Sequence, residues 1–296
     1  LLKRKIAKYA GVREGNIIVG NGSDEIIDIV TRAFGDRVLI PVPTFSQFEE
    51  AAKRRGSVIK KVESLKGNKY EIDYNKKDLM NSTLAWICNP NNPTGTVVPQ
   101  DKIESIASKA GGMVCIDECL FEYSGQTSIS MLKSKKNIII TRSLSKAFGI
   151  AGLRLGYAVA SKDVIKELDE YRQPFNVNKI AEAAGIAAFD YVDYYADAIQ
   201  NIKKTRHSFC KELSSLGFEY MESNAPFVFV NFGNMSNAKK YYNFLISNGI
   251  LVFAAWDKEF SGSALPFIRF SIGTEEDMSK VIEVLRNATK QHSNYF

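Results

Sequence analysis

The segment that best combines reactive residue types runs Thr141-Arg-Ser-Leu-Ser-Lys-Ala-Phe-Gly-Ile-Ala-Gly-Leu-Arg154-Leu-Gly156. An isoleucine-rich run delivers Lys146 into a stretch of small residues with hydroxyls at Ser143 and Ser145, and Arg154 stands eight residues beyond the lysine. A lysine amine stripped of water condenses with a carbonyl, while hydroxyls and a guanidinium hold a dianionic phosphate. These parts suit a carbonyl cofactor that carries a phosphate. An exposed lysine on a flexible loop is the plain alternative, and this neighbourhood makes it the poorer one.

Three further segments bear on the same chemistry. Cys88-Asn-Pro-Asn-Asn92-Pro-Thr-Gly95 follows an apolar run and is packed with turn formers; alone it would be punctuation. Met113-Val-Cys-Ile-Asp117 sets a carboxylate at the end of a buried strand, where it serves either as a functional group or as a helix cap. Val19-Gly-Asn-Gly22-Ser23-Asp24-Glu25 passes from strand through glycines into helix, which offers N–H groups and a positive helix end to an anion. Glu25 stands where a dinucleotide fingerprint needs its third glycine, and no loop ends in Gly-Lys-Ser/Thr, so nucleotide binding fits less well.

Positioning these groups falls to alternating elements. Short β-rich runs are expected at 16–20, 37–41, 57–62, 84–88, 113–117, 137–141 and 156–160, with helical periodicity at 24–34, 46–54 and 101–109 between them. That alternation predicts an α/β large domain whose mainly parallel, seven-stranded sheet is flanked by helices, over residues 1–198. From 163 to 216 the pattern turns mainly helical, broken at Gln173-Pro174-Phe175-Asn176, and its amphipathic run through Ile199, Ile202, Arg206 and Phe209 fits a long helix joining two domains. Strands at 218–221, 227–232, 251–254 and 267–272, with helices at 238–248 and 275–290, predict a smaller α+β domain over 199–296.

Composition removes competing chemistries. The 296 residues hold two histidines, His207 and His292, too few for a histidine-built metal centre or a Ser-His-Asp relay, and no metal site is expected. Acid–base work then falls to lysine, carboxylates, tyrosine or a cofactor. The net charge of +6 comes from short groups such as Lys53-Arg54-Arg55 interleaved with acids, a solvated surface and not a nucleic-acid face. No apolar run reaches membrane-spanning length. Cys88, Cys115, Cys119 and Cys210 sit mostly in apolar stretches without zinc spacing and are expected to be reduced, in the cytoplasm. The chain opens on Leu1 inside a helical pattern, so further residues are expected upstream.

Taken in order, Gly-Asn-Gly-Ser-Asp-Glu, Asn-Pro-Asn-Asn-Pro-Thr-Gly, Ser-Leu-Ser-Lys-Ala-Phe-Gly-Ile-Ala-Gly-Leu-Arg-Leu-Gly, Arg-Gln-Pro-Phe-Asn-Val-Asn and Ile-Arg-Phe-Ser-Ile-Gly-Thr resemble the fold-type I pyridoxal-phosphate enzymes. The resemblance is to the class I/II aminotransferases, and most to their histidinol-phosphate aminotransferase branch, over nearly the whole chain. It implies pyridoxal 5′-phosphate held by Lys146, which would also move the substrate's Cα proton, and Asp117 keeping the pyridine nitrogen protonated. Asn92 would hydrogen-bond the cofactor's 3′ oxygen. Gly22, Ser23 and Asp24 at a helix start, with Ser143, Ser145 and Arg154, would surround the phosphate. Phe45 would stack on the ring, although an ordinary core phenylalanine is the other reading of it. Arg269 would take the substrate carboxylate, its planar fork suiting two oxygens, and Asn176 would line the substrate side.

The implied activity is ping-pong transfer of an amino group between an amino acid or amino-alcohol phosphate, with histidinol phosphate the best guess, and a 2-oxo acid. An aromatic or other amino-acid aminotransferase and a threonine-phosphate decarboxylase are the alternatives, because the geometry about Cα decides which bond breaks. A homodimer is implied by analogy alone. Three departures stand out. Leu120 replaces the usual tyrosine that donates to the 3′ oxygen. Phe253 aligns where histidinol-phosphate enzymes carry a phosphate-binding arginine, with Lys258 as the residue to compensate and Trp256 as an aromatic neighbour. The family's amino-terminal arm, with its tyrosine for the partner's cofactor, has no counterpart from Leu1 onward, so the arm is expected upstream or else the site is incomplete without it.

Overall fold

Runs of branched and small apolar residues become the central strands because they are buried on both faces. The computed structural model describes residues 1–256, 260–262 and 264–293, the last three of these by backbone alone. In chain order the first strands are β1 (Ile17–Asn21), β2 (Arg37–Val42), β3 (Thr44–Phe45), β4 (Val58–Glu63), β5 (Leu65–Lys66) and β6 (Lys69–Tyr70). Next come β7 (Leu84–Cys88), β8 (Met113–Asp117), β9 (Ile138–Ser143) and β10 (Leu155–Ala160). The last are β11 (Glu219–Tyr220), β12 (Phe227–Asn231), β13 (Phe253–Ala254), β14 (Phe260–Ser261) and β15 (Phe267–Ser271).

Seven strands form the large sheet in the order β1-β10-β9-β8-β7-β2-β4. From β9 through β8, β7 and β2 to β4 the pairing is parallel, and β10 runs antiparallel to both neighbours. The expected mainly parallel α/β sheet is therefore what forms. Along β7, β8 and β9 successive side chains enter opposite cores. Trp86, Cys115 and Ile139 pack with Phe48 and the helices Gly22–Phe34 and Lys162–Asp169, while Ile87, Val114, Ile116, Ile138 and Ile140 pack with the helix Gln100–Lys109. Phe48 stacks flat on Trp86 at 4.3 Å. Full burial of each such side chain stabilises by about 1.5–3 kcal/mol, which explains why the central strands carry no polar alternation.

Helices Lys162–Asp169, Lys179–Asp190 and Val192–Ser215 fill the stretch expected to be helical, and the interruption falls around Pro174. Ser161 and Asn178 cap the first two through their side-chain oxygens. The third helix runs through residue 198. Beyond it β11, β12, β15 and β13 form an antiparallel sheet, covered by helices Met235–Ser247 and Glu275–Ser293. Phe229 and Phe267 of this sheet, stacked at 4.6 Å, also belong to the core beneath the large one. A two-residue ladder that the sequence does not betray, β3 with β14, brings Phe45 opposite Phe260. Among the described residues no helix is long and apolar enough to cross a membrane.

Below the end of β8 lies Glu122, on the short helix Phe121–Ser124 and within reach of the Tyr9 hydroxyl at 3.4 Å. Burial pushes its carboxyl from 4.5 up to about 8, against the opposing pull of Arg142. The folded chain thus keeps a proton that the unfolded chain releases. The associated stability is whole below about 4.5 and is lost as pH rises through about 8. Glu122→Gln should flatten the fall of melting temperature between pH 5 and 8, and at the upper end should melt above the parent; an unchanged slope would contradict the assignment.

Candidate active site

The register of three neighbouring strands places the first group. Cys88 of β7 lies beside Asp117 of β8, and Asp117 beside Thr141 of β9, so their carboxyl ends open at one level. Asp117 is 4% exposed, and its Oδ1 accepts the Cys119 N–H at 3.0 Å. Burial raises its carboxyl pKa, while hydrogen bonds from Cys119 oppose the rise. Asn89 donates its backbone N–H to the Asp117 carbonyl at 2.8 Å, tying the loop after β7 to the end of β8. Leu120, three residues on, is buried and offers no hydroxyl.

Beyond β9 the chain turns. Ser143 Oγ accepts the Ser145 N–H at 3.1 Å, and Lys146 is exposed at the head of the turn. Arg154 then adopts a left-handed backbone (φ 54) and reaches across to Asp24, with Nη2 2.7 Å from Oδ2. The helix that starts at Gly22 approaches so closely that a Cβ on Gly22 (φ 79) would lie 2.5 Å from Arg154 Nη2. A Cβ on Gly156 would lie 2.4 Å from the backbone nitrogen of Ser23. Glycine is required against the Ser23 backbone at 156 and is favoured by the left-handed φ at 22, where the Arg154 tip could shift. It brings Gly22, Ser23, Asp24 and Arg154 together at one helix start.

The opposite wall is built from the loop 89–95 and the small sheet. Asn91 is fully buried; it accepts from Thr44 Oγ1 at 2.9 Å and donates to the Pro43 carbonyl at 3.1 Å and to Thr94 Oγ1 at 3.0 Å. This fastens the Asn92 loop to the segment that carries Phe45. Arg269, 7% exposed in the middle of β15, donates from Nη1 to Asn92 Oδ1 at 2.6 Å. Its guanidinium carbon lies 4.2 Å from the Phe253 ring, 5.0 Å from Phe227 and 5.2 Å from Phe260, all within cation–π range. Phe253 stands directly opposite Arg269 in the ladder of β13 and β15.

Sequence reasoning did not foresee Phe253 on Arg269; a strand pairing was needed to bring them face to face. Nor did it foresee Asn91, whose neighbour Asn92 drew the attention. Asn176 donates to the Val19 carbonyl at 3.0 Å and to Glu25 Oε2 at 2.7 Å, so its amide pins the 173–176 turn onto β1 and the Gly22 helix. Trp256 packs edge-on against Tyr242 at 5.6 Å. Lys258 lies outside the described residues. Among those described, no cluster of His, Cys, Asp or Glu could hold a metal ion.

The arrangement offers an anion cradle free of side chain at Gly22, with helix N–H groups, two hydroxyls and a guanidinium beside it. It also offers a buried carboxyl that holds its proton more tightly than usual, and an accessible amine. A phosphorylated pyridine aldehyde would fit that donor set, with the helix start available to its phosphate, Asp117 to a ring nitrogen and Lys146 to its carbonyl.

The family model for aminotransferases of class I and II matches residues 1–285. A histidinol-phosphate aminotransferase from Geobacillus sp. (strain WCH70) is 32% identical over 304 residues, covering 98% of this chain and 80% of its own length. The crystal structure of the histidinol-phosphate aminotransferase from Clostridium acetobutylicum shares the fold at a TM-score of 0.88 and 25% identity, covering 98% of this chain and 88% of that one. An L-threonine-O-3-phosphate decarboxylase from Porphyromonas gingivalis reaches 0.83 at 26% identity, covering 97% and 87%.

The close approach at the helix start predicts that Gly156→Ala lowers affinity for pyridoxal 5′-phosphate by roughly tenfold or more, with a melting transition that stays cooperative. Titration followed by absorbance tests this. Unchanged affinity would mean that the helix start does not hold the phosphate.

Proposed function

Because the chain belongs to the class I and II aminotransferases, which work with pyridoxal 5′-phosphate, we propose that the residues gathered above are its active site. Bound there, the cofactor supplies a ring that accepts the electron pair left at a substrate's Cα when a bond to it breaks. The rest falls to the chain. Lys146 holds the cofactor through its amine and moves the Cα proton. Asp117, as a buried carboxylate beside the ring nitrogen, would keep that nitrogen protonated by charge pairing. Gly22, Ser23, Asp24, Ser143, Ser145 and Arg154 hold the phosphate, and Phe45 covers the ring. With its oxygen bonded to Arg269, Asn92 would have its amide nitrogen left to donate to the cofactor's 3′ oxygen.

The single observation that carries this reading is the Arg269–Asn92 hydrogen bond at 2.6 Å, which ties a carboxylate-binding fork to the loop that faces the cofactor. Transfer runs between an amino donor and a 2-oxo acid, with Arg269 receiving carboxylate. Histidinol phosphate is the donor proposed, supported by the names of the relatives. Asn176 braces the substrate side through Glu25. Residues 1–198 form the cofactor domain and 199–296 the small domain that brings Arg269. A homodimer belongs to the same proposal; Phe175 and Ile180, 98% and 73% exposed, are apolar side chains that a second copy would cover.

One observation favours a second donor class. Phe253, 41% exposed, lays an uncharged ring on Arg269, which suits an amino acid with an aromatic or aliphatic side chain. A panel of amino donors, scored by loss of the cofactor's absorbance and by product identity, separates the classes. Histidinol phosphate should be consumed with a 2-oxo acid as acceptor; preference for phenylalanine or tyrosine would select the second class. Carbon dioxide release from threonine phosphate without a keto product would select decarboxylation. Purified Lys146→Ala should show no steady-state transamination, and turnover at the parent rate would overturn the proposal. Since a hydroxyl beside the 3′ oxygen stabilises the deprotonated lysine–cofactor chromophore, Leu120→Tyr should lower that chromophore's pKa; an unchanged or higher value would refute the role given to position 120.

A further inference from the structure

We propose that the buried pair Glu118–Arg142 is a positioning device for the reaction, holding the Asp117 carboxyl and the Lys146 turn in fixed relation; this rests on the roles proposed above for those two residues. Glu118 is fully buried and Arg142 is 2% exposed. One Glu118 oxygen, Oε2, accepts from Arg142 Nη2 at 2.9 Å, from Arg142 Nε at 3.2 Å and from Thr127 Oγ1 at 2.7 Å. The other, Oε1, accepts the Ser128 N–H at 2.5 Å. Arg142 Nη2 donates also to Thr127 Oγ1 at 2.7 Å, and the guanidinium lies 3.6 Å from the centre of the Phe121 ring. Every one of these partners comes from the segments that follow β8 or close β9.

Placement in the chain gives the pair its reach. Glu118 follows Asp117, and the ladder continues one residue past the strand end through the Glu118 N–H and the Thr141 carbonyl at 2.8 Å. Successive side chains of an extended strand point to opposite faces, so anchoring Glu118 on one face fixes where Asp117 points on the other. Arg142 precedes Ser143, whose Oγ caps the turn that presents Lys146. A charge-assisted fork between the two segments therefore limits how far the carboxyl can move against the amine. Neither Glu118 nor Arg142 needs to touch the cofactor or substrate. A displacement of about 1 Å at such groups costs roughly a hundredfold in rate, so rigid support has a catalytic consequence.

Glu118→Gln removes the charge and Arg142→Lys the planar fork, each at similar size. In the purified holoenzyme both should lower kcat by roughly tenfold or more, leave KM for the amino donor within about twofold, and shift the pKa of the lysine–cofactor absorbance. The melt should remain cooperative, though at lower temperature. Folded variants with the parent's kcat and chromophore pKa would overturn the proposal. If both fail to fold, Thr127→Val decides, since it removes one contact to each member of the pair; the same changes in smaller measure are expected, and parental values would overturn the proposal. Asp117→Asn, run alongside, tells the two layers apart. Should it also leave kcat and chromophore pKa unchanged, the role of Asp117 fails and the pair's role falls with it. Should it disable the enzyme while the pair variants do not, the positioning proposal alone fails.

Discussion

The parallel register of β7, β8 and β9 is the constraint on which the site depends. Cys88, Asp117 and Thr141 stand side by side because the three strands are paired without offset, and the loops after β7 and β9 then carry Asn92 and Lys146. A slip of one residue would turn Asp117 to the other face of the sheet. The slip is opposed by two cores at once, since Trp86, Cys115 and Ile139 would exchange places with Ile87, Ile116 and Ile140. Packing on both faces thus sets the position of a carboxyl that itself adds nothing to packing.

Against that fixed row, the remaining groups are delivered by close backbone approach. Glycine at 22 and 156 lets the Gly22 helix start meet Arg154 and β10 with no side chain between them. On the far side the small sheet delivers Arg269, held by Asn92 and by aromatic rings. The poverty in histidine is then intelligible. Asp117 offers a buried carboxyl, the amine of Lys146 is accessible, and the cofactor of the family accepts electrons, so an imidazole is not required for proton transfer.

Much of this was legible in the sequence, for physical reasons. The central strands β7, β8 and β9 were visible as apolar runs, because both of their faces are buried and no polar alternation is needed, whereas the edge strand β4 is largely exposed and carries Lys60, Lys61 and Glu63. Lys146, Arg154, Asp117 and Asn92 were marked by ordered motifs in which small residues, prolines and glycines keep unusual company. What was hidden depends on pairings between distant segments. The β3–β14 ladder is two residues long and has no periodicity to detect. Phe253 looked like a missing arginine, and only the β13–β15 register shows its ring on Arg269. Glu118 and Arg142 sat inside recognised motifs as unremarked neighbours of Asp117 and Ser143, since a buried ion pair leaves no spacing pattern when its members are 24 residues apart. Asn176 was read toward the substrate, and its bond to Glu25 could not be seen without the fold.

The central claim is that the buried Asp117 keeps the cofactor's ring nitrogen protonated. The most direct measurement is the nitrogen chemical shift of pyridoxal 5′-phosphate labelled at the ring nitrogen, bound to the parent chain and to Asp117→Asn. The account predicts the shift of a protonated pyridine in the parent at neutral pH, moving to that of a neutral pyridine in the variant. A neutral-pyridine shift in the parent, or one unaffected by the substitution, would contradict it.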